Sequence, residues 1–175
     1  MAIDITLYIF QTGGREAGLV VMLDRHLARY KKAIVLTDNL VTAKKIDDML
    51  WEYNHDGFLP HDILPLSDGG ACDDDTPHQP IVIVPLDQID VFDKNYNSAT
   101  AVFCFLDNFD KIADVLKSAN HKIAEWYFLF LRDDKQHESI MAKILALTSS
   151  DNKNFMLQNQ WHQTLKGEWS DKPLA

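Results

Sequence analysis

The chain has 175 residues, 46% of them hydrophobic and 25% charged, a composition that suits one folded domain and excludes a disordered or collagen-like polymer. A formal charge of −9 repels a phosphate backbone unless basic residues gather on one face, so strong direct binding of nucleic acid is disfavoured. Two cysteines exclude a disulfide framework or a thiolate zinc site. Apolar runs such as residues 126–131 fall far short of the roughly 20 residues a membrane helix needs, and the N-terminus carries no leader pattern, so the expected compartment is the cytoplasm.

In chain order, Ile3-Asp4-Ile5-Thr6-Leu7-Tyr8-Ile9-Phe10 is rich in β-branched and aromatic residues and stops at the turn-prone Gln11-Thr12-Gly13-Gly14, which predicts a first strand. Val20, Leu23, Leu27 and Tyr30 recur at helical spacing and predict a helix over residues 15–30. Ala33-Ile34-Val35-Leu36 has the continuous apolar character of a strand buried on both faces, and Thr37-Asp38-Asn39 offers caps for a helix whose inner face carries Ala43, Ile46, Leu50 and Tyr53.

Further strands are expected at residues 80–84 and 101–106, the second followed by Asp107-Asn108 and a helix with Phe109, Ile112, Ala113 and Leu116 inward. Residues 126–131 read as another strand, Asp133-Asp134 as a cap, and Ile140, Met141, Ile144 and Leu145 as the apolar face of a helix ending near Leu147. Phe155-Met156-Leu157 reads as a short closing strand, and residues 67–79 and 148–154 as loops. Strand alternating with helix predicts an α/β domain: a three-layer, Rossmann-like, mainly parallel sheet with helices on both faces. The expected organisation is one domain over residues 1–166 and a frayed tail over 167–175.

Motifs of catalysis are missing from this frame. The turn Thr12-Gly13-Gly14-Arg15-Glu16-Ala17-Gly18 misplaces its glycines for a dinucleotide fingerprint, and neither a phosphate-binding G-x-x-x-x-G-K-[ST] loop nor a G-x-S-x-G elbow occurs. His55, His61, Asp62 and His78, and the acids Asp73-Asp74-Asp75, lack the spacing of zinc or calcium sites and read as solvated loop residues. Cys104 alternates with Phe103 and Phe105 in a buried strand, so it reads as a core residue and not a thiolate nucleophile.

The unusual stretch runs from Leu50-Trp51 to Phe58-Leu59-Pro60-His61, where two large aromatics and a proline sit at a helix end and the loop after it. Such residues anchor partners, and they also pack loops onto sheets; physics alone leaves both readings open.

The order Asp47-Asp48-Met49-Leu50-Trp51, a polar gap, Phe58-Leu59-Pro60-His61 and then Pro80-Ile81-Val82-Ile83 resembles the chi subunit family of bacterial DNA polymerase III, with the likeness extending over residues 3–161. The resemblance implies a non-catalytic accessory of the clamp-loader complex, without a cofactor, that meets DNA only indirectly. It implies pairing with a psi-type subunit through Trp51 and Phe58, with Leu50, Leu59, Pro60 and His61 completing the patch. It also implies a basic site on the last helix for the acidic C-terminal tail of single-stranded-DNA-binding protein. Here that helix departs from the family, placing Ile140, Met141, Ile144 and Leu145 where basic and tyrosyl residues are usual. Lys135 and Lys143, with His137 and Arg132, are the remaining candidates, and Lys111, Lys117 and Lys122 lie on neighbouring segments. A different class stays open: a small Rossmann-like nucleotide-binding domain or enzyme, with its site beyond the strand ends near Thr12 to Gly14, Thr37-Asp38 and Asp107.

Overall fold

β-Branched and aromatic runs too short for helices become strands here, and the apolar-periodic segments between them become helices that cover the sheet. A computed structural model describes residues 3–11, 14–29, 31–53, 59–64, 79–88, 95–108, 115–116, 123–132, 137–149, 155–164 and 167–171. Its elements are β1 (Ile3–Phe10), α1 (Arg15–Leu27), β2 (Ala33–Thr37), α2 (Leu40–Glu52), β3 (His61–Ile63), β4 (Ile81–Pro85), β5 (Ala101–Phe105), β6 (Glu125–Leu131), α3 (His137–Ser149), β7 (Phe155–Gln163) and β8 (Trp169–Ser170). They form one eight-stranded sheet in the order β3-β4-β2-β5-β6-β1-β7-β8, parallel throughout except for the β7–β8 hairpin.

Alternation along each strand sorts side chains into two cores. Ile3, Ile5, Leu7 and Ile9 of β1 join Trp126, Phe128 and Phe130 of β6 beneath Ile140 and Ile144 of α3, with Val115 and Leu116 on the same side. On the other face Val35, Ile83 and Phe103 pack under Leu19 and Leu23 of α1 and Ala43, Ile46 and Leu50 of α2. The three-layer, mainly parallel arrangement is the expected one.

Local chemistry explains the boundaries. Asn39 caps α2 by accepting the Thr42 N–H at 2.9 Å, satisfying one of the orphan donors of the first turn. At the opposite end of the sheet Asn97, buried, points its side-chain amide nitrogen at the carbonyls of Ala33 (3.1 Å), Gln79 (3.1 Å) and Pro80 (2.8 Å), tying the starts of β2 and β4 to the segment that enters β5.

Several elements differ from the sequence expectation. β3 was not expected, because three residues are too few to show a period; pairing with β4 alone defines it. β7 runs nine residues, since parallel pairing with β1 holds its polar second half in the sheet. Trp169–Ser170, inside the stretch read as a frayed tail, forms β8 after a tight turn in which Gly167 takes a φ of +81°. α3 continues to Ser149, two residues beyond its expected end. Tyr53 lies past the last turn of α2 and is exposed rather than inward. Phe109, Ile112, Ala113 and the expected cap Asp133-Asp134 lie outside the described residues, as does most of the loop expected over 67–79.

Candidate functional site

Along α2 the residues Ala43, Ile46 and Leu50 face the sheet and are buried. One residue further, about 100° round the helix, Trp51 turns outward and is 60% exposed. A tryptophan so placed leaves more than half of its surface exposed.

The indole is nevertheless held in place. The chain re-enters the described structure at buried Leu59, passes half-buried Pro60 and begins β3 with His61, whose side chain is fully buried. The His61 Nδ1 contacts the Leu59 carbonyl, and Nε2 lies 2.9 Å from the Asp47 carboxylate, one helical turn before Trp51. Trp51 stands edge-on to this imidazole, with ring centroids 5.4 Å apart and planes at 66°. The carboxylate thus lies against the histidine, and the histidine against the tryptophan. Spacing i, i+4 between Asp47 and Trp51 was the available clue; the histidine that joins them comes from a strand the sequence did not reveal.

Of the expected patch, then, Trp51 and Pro60 present surface, whereas Leu50, Leu59 and His61 form the base beneath them. Phe58 lies outside the described residues, as do His55, His78 and Asp73 to Asp75. Asp62 accepts the Gln79 N–H at 3.1 Å, which joins the start of β3 to the approach to β4.

On α3, Ile140 and Ile144 are buried in the core, Met141 is half-buried and Leu145 is 40% exposed. Ile140, Ile144 and Met141 thus serve packing, while Leu145 faces solvent. Lys143 is exposed, Arg132 is half-buried with its backbone N–H on the Phe10 carbonyl at 2.8 Å, and Lys135 lies outside the described residues, as do Lys111, Lys117 and Lys122.

The strand ends form a second feature. Adjacent strands β2 and β5 lead in opposite directions along the sheet, the geometry at which open α/β sheets bind ligands. In this protein the chain's own charges meet there. The Asp38 carboxylate accepts the N–H groups of Asp107 (2.6 Å) and Asn108 (3.1 Å), and burial pushes its carboxyl pKa up while those two donors oppose the shift. Arg15, buried at the start of α1, pairs with Asp107 at 2.6 Å, reaches the Leu106 carbonyl at 3.4 Å and lies 4.0 Å over the Phe105 ring. Of the turn before α1, Thr12 and Gly13 lie outside the described residues.

No helix among the described residues is long and apolar enough to cross a membrane. A search of curated proteins found no match to this chain. A family model described as DNA polymerase III chi subunit, HolC, matches residues 3–126, from β1 through α2, Trp51 and β3 to the start of β6. Spanning well over half of the sequence and the whole Trp51 platform, that match makes the chain a member of the DNA polymerase III chi subunit family.

Proposed function

We propose that this DNA polymerase III subunit is a non-catalytic adaptor of the clamp-loader complex, docking a psi-type subunit on the Trp51 platform. The supporting observation is an exposed indole on a fixed base of Asp47, His61, Leu50 and Leu59. An apolar anchor already ordered in the free protein spends little conformational entropy on binding, which is how a few aromatic residues come to dominate an interface. A catalytic reading finds less support: two carboxylates and a paired arginine occupy the crevice between β2 and β5, so an incoming anion meets negative charge.

The test is binding of purified psi-type subunit to Trp51→Ala and to Trp51→Ala/Phe58→Ala. Losing a central aromatic anchor costs about 2 kcal/mol or more, roughly a thirtyfold fall in affinity. Because Trp51 is exposed, the single variant keeps the parent's melting temperature, whereas Leu50→Ala, in the core, loses about 2–5 kcal/mol of stability. Full affinity in the folded double variant refutes the proposal.

The second proposed contact, with the acidic C-terminal tail of single-stranded-DNA-binding protein, rests on Arg132, Lys135 and Lys143 at and before α3. Peptide titration at two salt concentrations tests it. Binding weakened by salt and by Lys143→Ala supports the contact, and no binding at either salt rejects it.

A further inference from the structure

The helices among the described residues leave part of the sheet without a helix over it. On one face α1 packs on β2 and β6 and α2 on β2, β3 and β4, and β1 presents Asp4, Thr6 and Tyr8 to that face where it presents Ile3, Ile5 and Leu7 to the other. Beside α1 this leaves an open cavity of about 620 Å³, within the few hundred to a thousand cubic ångströms typical of small-molecule sites.

Aromatic rings build its walls. Trp169 of β8 stands edge-on to Tyr8 (5.3 Å) and Phe10 (4.9 Å), Tyr8 lies 6.2 Å from Tyr127, and Trp161 of β7 also lines the space. On the helical side Arg25 in the last turn of α1 and Arg29, two residues past its end, reach the rim and are exposed. Neither takes part in the ion pairs found among the described residues, in a chain whose net charge is −9. Glu125, next but one to Tyr127 on β6, is already held by Lys31 at 3.0 Å and by the Tyr127 hydroxyl at 2.8 Å.

We infer that this groove binds a nucleotide, its base among the rings of Tyr8, Tyr127, Trp161 and Trp169 and its phosphate on Arg25 and Arg29. Aromatic faces stack any base, and a pair of guanidinium groups is suited to a phosphate. β1 and β6, which carry Tyr8 and Tyr127 into the groove, are paired on both sides, so they offer no free backbone edge to an extended peptide. The overall negative charge disfavours a long strand lying across the surface, so the ligand is one nucleotide unit, free or at a strand end. The groove lies on the α1 face, away from Trp51 at the α2 end, and Trp161 and Trp169 belong to the part of the chain beyond the family match.

Four tryptophans, two of them in the groove, make the test direct. Indole N–H resonances are followed by NMR in the whole protein during titration with deoxyadenosine 5′-monophosphate, deoxyadenosine and 5′-phosphorylated tetradeoxyadenylate. Expected are shifts of Trp161 and Trp169 but not of Trp51 with the monophosphate, and about tenfold weaker binding or more in Arg25→Gln/Arg29→Gln. These exposed substitutions leave the rest of the spectrum in place. Tighter binding of the tetranucleotide identifies a strand end, and equal binding a free nucleotide. Unmoved Trp161 and Trp169 overturn the inference, as does an equal response to deoxyadenosine or in the double variant. So does a response to an Asp-Asp-Phe peptide where the monophosphate gives none.

Discussion

Glycine in the middle of a helix costs about 1 kcal/mol relative to alanine, so Gly18→Ala in α1 should stabilise the protein if helix propensity alone decides. Contact decides otherwise. A β-carbon at Gly18 sits 2.0 Å from Cε1 and 2.5 Å from Cζ of Phe10, a buried ring that also meets Trp169 edge-on at 4.9 Å. The ring has to move by more than an ångström in a packed layer, and overpacking of this kind costs about 1–3 kcal/mol. Subtracting the propensity gain leaves a net loss of up to about 2 kcal/mol. For a chain of this size each kcal/mol moves the melting temperature by about 2–4 °C, so a fall of up to about 8 °C is expected. Urea unfolding followed by far-ultraviolet circular dichroism, on Gly18→Ala, Phe10→Leu and the double variant, closes a double-mutant cycle. Removing the ring removes the clash, so the double variant is more stable than the sum of the single effects by about 1 kcal/mol or more. A Gly18→Ala variant more stable than the parent, or additive effects, refutes the argument.

Two other sites give separate expectations. Asn97→Ala leaves the carbonyls of Ala33, Gln79 and Pro80 without their shared donor and lowers stability by about 1–3 kcal/mol. Asn97→Asp is worse still, since it sets a carboxylate against three carbonyl oxygens; denaturant midpoints rank the two, and the reverse order refutes the role. Burial lowers the pKa of His26 below its ordinary 6.5, with Glu125 opposing, while its Nε2 meets the Thr100 hydroxyl at 3.2 Å. A lowered folded-state pKa means that the unfolded chain takes up the proton first. The stability contributed by neutral His26 is therefore complete above pH 6.5 and declines as the pH falls below it. Unfolding free energy compared at pH 7.5 and 5.5 should fall less in His26→Gln than in the parent, and an unchanged difference removes His26 from the account.

Much of the fold could be read from the sequence because its strands alternate with helices of clear period. β2, β4 and β5 are buried on both faces and announce themselves as continuous apolar runs, and Asn39 was among the residues read as caps for α2. What escaped reading depends on pairing. β3 and the polar half of β7 carry no pattern of their own and are strands because a neighbour makes them so. Trp51 was recognisable as an unusual residue, but its burial partners were not, since Asp47 and His61 meet only when β3 docks beside α2. The groove left a trace in the alternation of Asp4, Thr6 and Tyr8 with Ile3, Ile5 and Leu7; that pattern marks the more polar face of β1, and the hairpin bearing Trp169 supplies a wall beside it.

The place of β1 in the sheet has a consequence for how the chain is made. It leaves the ribosome before the other strands of the sheet, yet both its neighbours come more than a hundred residues later: β6 from residue 125 and β7 from residue 155. At typical synthesis rates its two hydrogen-bonding edges wait about 6–25 s for the first of them. During that interval an eight-residue apolar strand is exposed with nothing to pair with, while β2, β4 and β5 can already assemble around α2. Late closure of this kind puts the nascent chain at risk of pairing with other chains, and it makes the insertion of β1 between β6 and β7 the step on which completion of the sheet depends.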